Sequence, residues 1–157
     1  MKRFITIIAL ALALLLPSSL WAVAVGTCTQ AYALIPTSNI STITFTCTAS
    51  ADDASFPSTA TSTDITAAIK GMYIIEARTN PGTAPTAAYD IVINDADGID
   101  LMGGTMADRS ATVSQRSIPA LSTGVYGGTA VDGVLTLAIS GNSNNSAVVV
   151  VKVFLTR

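Results

Sequence analysis

The sequence predicts an all-β fold: a single two-sheet antiparallel β-sandwich of about eight strands, following an N-terminal signal peptide. Three observations carry this. Many runs alternate apolar and polar residues with period two. No segment holds apolar residues at i, i+3, i+4 and i+7 over three turns, and Gly and Pro punctuate the chain about every ten residues. Two packed sheets follow, because each apolar sheet face needs another to bury it.

The leader comes first. Met1-Lys2-Arg3 is a positive n-region, residues 4–16 are an apolar run, Pro17-Ser18-Ser19 breaks it, and Ala22-Val23-Ala24 offers small residues for cleavage. The run is shorter than the roughly 20 residues a membrane-spanning helix needs, so residues 1–24 are expected to be cleaved, leaving no stable membrane anchor. Thr27 stands where a lipoprotein leader places Gly or Ala before its cysteine, which argues against lipidation. Removing 24 residues from 157 leaves one domain, 25–157, with six basic residues against ten acidic ones. With no basic patch, nucleic acid is not an expected partner.

Strands are expected near 27–35, 40–49, 67–78, 88–95, 99–103, 110–118, 132–140 and 147–156. The first pair carries an internal check. If Pro36-Thr37-Ser38-Asn39 connects them, antiparallel pairing places Ile35 opposite Ile40, Tyr32 opposite Ile43 and Cys28 opposite Cys47. Directly opposed Cα atoms lie within disulfide range, so a Cys28–Cys47 disulfide in an oxidising compartment is predicted. The same register gathers Cys28, Tyr32, Leu34, Ile43, Phe45 and Cys47 on one face and leaves mostly Thr and Ala on the other. A redox-active pair is disfavoured, since the cysteines are not in a C-x-x-C arrangement and no cation neighbours them.

Residues 50–66, SADDASFPSTATSTDIT, are dense in Ser, Thr, Ala and Asp and read as an exposed loop. Met72 and Ile74 alternate with Tyr73 and Ile75, so that strand is apolar on both faces, as in a central strand. Near the end, Val148, Val149, Val150 and Val151 form a run that must be buried on both faces or paired at both edges. Left at an edge, it would be covered by a neighbouring subunit, which makes it the expected assembly edge.

Residues 89–104, YDIVINDADGIDLMGG, are the one candidate site. Tyr89, Ile91 and Ile93 point inward, Asp97-Gly98 make the turn, and Ile99, Leu101 and Met102 form the return strand of a hairpin. Asp95, Asp97 and Asp100 around one glycine admit a second reading as a weak calcium site, because oxygen ligands suit that ion. The spacing is a fragment of the twelve-residue loop pattern, with no Glu to close it. An acidic hairpin turn is the preferred reading, and no other cofactor is expected.

The rest of the chemistry is sparse. There is no histidine, Glu76 is the sole glutamate, and no G-x-S-x-G or S-x-x-K motif activates a serine. An enzyme is not expected; the one hydrolase reading rests on the aspartates just named.

Thr79-Asn80-Pro81-Gly82, Pro85-Thr86, Tyr89-Asp90-Ile91, Asp95-x-Asp97-Gly98-x-Asp100-Leu101, Gly103-Gly104, Asp108-Arg109-Ser110 and Gly133-Val134-Leu135-Thr136-Leu137 occur in this order. Over roughly residues 40–157 the chain thereby resembles a family of small, largely uncharacterised bacteriophage proteins usually described as virion structural proteins. The resemblance implies a β-sandwich that assembles on or in a particle, and it carries no catalytic residues. The leader and cysteine pair depart from that pattern and point to a coat assembled after export or to a cell-surface protein. The expected function is a non-enzymatic structural subunit, virion-like or extracellular, self-associating through strand edges and apolar faces or joining other assembly proteins. The alternative is an exported binding or adhesion module recognising a glycan or surface. Both place the protein outside the cytoplasm, in the periplasm, the extracellular space or the virion surface.

Overall fold

A computed structural model describes residues 24–157; the signal-peptide assignment thus falls, apart from Ala24, outside the described residues. The fold is all-β with one short helix. In chain order the elements are β1 (Thr27–Leu34), β2 (Ile40–Thr48), β3 (Thr59–Ala60), α1 (Thr63–Ile69), β4 (Tyr73–Pro81) and β5 (Asp90–Asn94). There follow β6 (Gln115–Ser117), β7 (Ala120–Ser122), β8 (Val125–Tyr126), β9 (Thr129–Ala130), β10 (Thr136–Ser140) and β11 (Val148–Thr156).

The main sheet runs β1-β2-β11-β4-β6, with β9 also paired to β4; a smaller sheet runs β3-β10-β5, and β7 and β8 form a separate ribbon. All of these pairings are antiparallel. Both sheets feed one core. Ile43 and Phe45 of β2, Val151 and Val153 of β11, and Ile74 of β4 are buried together with Ile91 and Ile93 of β5 and Leu137 of β10. Period-two alternation is what sorts these side chains inward. The simple two-sheet sandwich needs amendment, since the ribbon and the helix add to it and several strands are only two or three residues long.

The first hairpin has the predicted register throughout, from Thr27 opposite Thr48 to Leu34 opposite Ser41. Ser38 closes its loop, donating its N–H to Ile35 O (3.2 Å) and accepting the Ile40 N–H at its hydroxyl (3.2 Å).

Residues 50–66 alternate exposed positions with buried anchors. Ser50, Ala54, Phe56, Thr61 and Ile65 are buried, and residues 63–69 are helical, so the strand expected from 67 begins at Tyr73. Ser62 caps α1 by accepting the Ile65 N–H, and Ile65 and Ile69, four residues apart, bury one face. The loop before the helix is held by asparagines of the β10–β11 connection: Asn142 donates to Ala54 O (2.8 Å) and Asn145 to Ala51 O (2.6 Å).

The valine run is not an edge. β11 pairs with β2 on one side and β4 on the other, with Val151 between Phe45 and Thr79. Val149 and Val151 are fully buried, which supplies within the monomer the cover that such a strand demands. The expectation that Val148, Val149, Val150 and Val151 form an assembly edge is therefore overturned.

The return strand at 99–103 is also absent. Asn94 and Asp100 make an isolated bridge, and the chain then turns through residues 101–106. The cause lies in the side chains of the aspartates, taken up below. The strand expected at 110–118 shrinks to β6, because Ser110 caps a turn by accepting the Thr112 and Val113 N–H groups.

Candidate functional site

The acidic turn is a set of backbone caps. Asp95 Oδ1 accepts the N–H groups of Asp97 (3.0 Å) and Ile99 (2.8 Å), and Asp100 accepts those of Met102 (3.0 Å, Oδ1) and Gly104 (2.6 Å, Oδ2). Short acidic side chains that bond the backbone two or four residues on compete with strand pairing, which is why the chain curls instead of returning as a strand. Asp97 is exposed at the tip. Among the described residues no group of three or more His, Cys, Asp or Glu side chains is arranged to hold a metal ion. The geometry thus favours the acidic-turn reading of Asp95, Asp97 and Asp100 over the calcium one.

Cys28 and Cys47 are bonded, with Cα atoms 3.9 Å apart. No described helix is long and apolar enough to cross a membrane.

The strand that does stand at an edge is β1. Ile35 donates its N–H to Ile40 O (2.9 Å), and bonded and non-bonded pairs alternate in an antiparallel ladder. Thr27, Thr29, Ala31 and Ala33 therefore bond to β2, while Cys28, Gln30, Tyr32 and Leu34 turn their N–H and C=O groups away from it. The β2–β11 side agrees: Ala49 donates to Ala147 O, so the odd-numbered residues of β2 face β11 and its even-numbered ones face β1. Among the described residues no strand pairs with the outer side of β1. The strand reads TCTQAYAL, with no charge, no proline and no break in register along eight pairs.

The remaining edges are managed. Along β5, Leu101 donates to Ile93 O, Met106 O accepts from Ile91, and Arg109 donates to Tyr89 O. β3 and β9 have two residues each, and β6 carries Arg116. Short strands, charges and covering loops are the ordinary means of blunting an edge; β1 is long and uncharged, and among the described residues the β3–α1 segment meets it through the Gln30 side chain, bonded to Ala60 O (3.0 Å) and the Ser62 N–H (3.0 Å), not through its outward backbone groups.

A second feature lies at the far side of the main sheet. Arg109 forms no ion pair with Asp108 or Asp100. It donates from Nη1 to Ser117 Oγ (2.9 Å), from Nη2 to Thr105 O (2.8 Å), and from Nε and Nη2 to Ala107 O. Asp108 points elsewhere because its backbone adopts φ +52° and its N–H is held by the Asp90 carboxylate (2.8 Å). Buried beside Arg109 is Tyr89, whose hydroxyl has no hydrogen-bond partner among the described residues. Burial raises the Tyr89 pKa above the usual phenol value, opposed by the Arg109 charge and by the nearby Thr79 hydroxyl, which forms no bond of normal geometry.

On the exposed face, Glu76 is paired with Arg78 and with Arg116 (2.9 Å), and the Arg78 guanidinium lies 4.5 Å from the centre of the Phe154 ring. The Glu76 cluster was not legible in the sequence because it joins β4, β6 and β11, and the Arg109 environment because its acceptors converge only through the turns of residues 105–117. The β1 edge had one signal: an uncharged alternating strand.

No protein-family model, curated protein or solved structure matches this chain.

Proposed function

We propose that this chain is a non-enzymatic structural subunit of an exported, virion-like or extracellular assembly, and that it self-associates through the outer edge of β1. The observation that carries the reading is the one just described: a strand of eight residues whose outward backbone groups have no partner among the described residues and whose sequence carries no charge or proline. A second strand laid along it would satisfy the N–H and C=O groups of Cys28, Gln30, Tyr32 and Leu34. If the second strand is another copy of β1 related by a two-fold axis, two six-stranded sheets join into one, and the contact closes on itself as an isologous dimer.

The surroundings suit that use. Leu34 and Ile35 are exposed at the end of the strand, and Ala31 and Ala33 present small apolar surface on its outer face. The Cys28–Cys47 bond ties β1 to β2 and keeps the edge extended, so little ordering entropy is lost on pairing. The disulfide also accords with an exported protein.

The test is sedimentation of the disulfide-intact protein over a wide concentration range. Self-association is expected, weakened at least tenfold by Ala31→Lys and by Leu34→Pro, which place a charge on the edge and remove one outward donor. A strictly monomeric wild type would end the proposal.

A further inference from the structure

We infer that the cleft beside Arg109 binds a carboxylate-bearing saccharide of the uronic-acid class, an activity independent of the assembly reading. The cleft, about 520 Å³, is lined by Thr105, Arg109, Arg116, Ser117, Ile118 and Tyr126. That volume is within the range of small-molecule sites.

Charge selects the acid group. Arg109 is only 8% exposed, yet every acceptor it meets is neutral: two backbone carbonyls and one serine hydroxyl. Among the described residues, ion pairs form at Glu76 and none at Arg109. A guanidinium has five N–H donors, and one on Nη1 has no acceptor among the described residues. Of the nearby carboxylates, Asp90 accepts the Asp108 N–H, Asp100 accepts two backbone N–H groups, and the adjacent Asp108 forms no ion pair with Arg109. Arg116 adds a second cation at the cleft; its side chain is largely exposed, and Glu76, its one carboxylate partner, is shared with Arg78. A buried positive charge without a counter-ion is costly, so an anion entering the cleft gains what the monomer leaves unmet.

The wall selects the rest of the ligand. Ile118 and Tyr126 are exposed large apolar side chains, and they give a bare inorganic anion nothing to pack against. A sugar ring has an apolar C–H face suited to an aromatic ring, and hydroxyls that need acceptors. Thr105 donates its hydroxyl to Met102 O (3.0 Å), which leaves the oxygen's lone pairs free to accept. A carboxylate, an apolar ring face and hydroxyl donors occur together in a uronic acid.

The test is titration calorimetry of the full folded protein with sodium galacturonate, neutral galactose and sodium sulfate. Saturable binding of galacturonate is expected, at least tenfold tighter than galactose or sulfate, and weakened at least tenfold in Arg116→Gln and in Tyr126→Ala. Both variants change exposed side chains, so their melting temperatures should stay at the wild-type value. Absence of saturable binding, or equal affinity in both variants, would overturn the inference. Sulfate binding as tightly as galacturonate with no effect of Tyr126→Ala would reduce the cleft to a bare anion site and equally overturn it.

Discussion

Cys28 sits directly opposite Cys47 across the β1–β2 ladder and is bonded to it, on the strand whose other side has no partner among the described residues. The cross-link spans 19 residues of sequence, so it restricts the unfolded chain by about 3 kcal/mol in the loop-entropy picture. Replacing both cysteines with alanine is expected to lower unfolding free energy in urea by about that amount. Loss of the edge with the fold retained would appear as weaker self-association, and an unchanged denaturation midpoint would show that the bond adds nothing.

Tyr89→Phe should stabilise the protein or leave it unchanged, because it deletes a buried hydroxyl that has no partner while keeping the ring. The gain expected is about 0–2 kcal/mol. The sign with pH is fixed by the raised folded-state pKa: the folded chain holds the proton more tightly than the unfolded one. That contribution is complete below the ordinary phenol pKa of about 10 and fades as pH rises through the folded value. Thermal melts between neutral and strongly alkaline pH should thus show a shallower alkaline decline in Tyr89→Phe than in the wild type.

Gly103 and Gly98 both have positive φ, but only one is crowded. A methyl group on Gly103 would run into the Ala120 carbonyl oxygen, whereas one on Gly98 would meet open space. Gly98→Ala should cost about 1–2 kcal/mol, the backbone term alone. Gly103→Ala should cost about 2–4 kcal/mol, since overpacking against the β7–β8 ribbon adds to it. Equal losses in denaturant titrations would contradict this contrast.

Asp95→Ala and Asp100→Ala should each cost about 1–2 kcal/mol, through two backbone N–H groups left without their acceptor. Asp95→Asn keeps an acceptor oxygen and should recover most of the loss. Melting temperature is expected to be the same in calcium and in chelator; a calcium-dependent rise abolished by Asp95→Ala would restore the metal reading.

Val151→Ala and Ala31→Lys separate the interior strand from the edge. The first removes buried methyl groups between Phe45 and Thr79 and should cost about 1–3 kcal/mol of stability. The second changes an exposed side chain and should leave the melt within about 0.5 kcal/mol of wild type while weakening association. If Val151→Ala altered assembly with no loss of stability, the valine run would regain its role as an edge.

Local pattern determined a good deal of this protein by itself. Alternation gave the all-β class and the inward face of Tyr89, Ile91 and Ile93, and a four-residue loop gave the register that opposes Cys28 to Cys47. These features depend on neighbours in sequence, where side-chain direction and turn length leave one solution. The helix at 63–69 escaped because seven residues show a single i,i+4 apolar pair, Ile65 and Ile69, too short a run to reveal a period. Tertiary structure alone decided the strand order, and with it which strand is an edge. β1 reads as an alternating strand and β11 as a Val-rich run in need of cover, yet only the assembled sheet places β11 between β2 and β4 and leaves β1, among the described residues, beside β2 alone. The same holds for Arg109, whose acceptors on Thr105, Ala107 and Ser117 converge only once β6 and the 101–109 segment pack beside each other. Pairing between distant segments is a competition among strands of similar pattern, and burial of the whole core settles it.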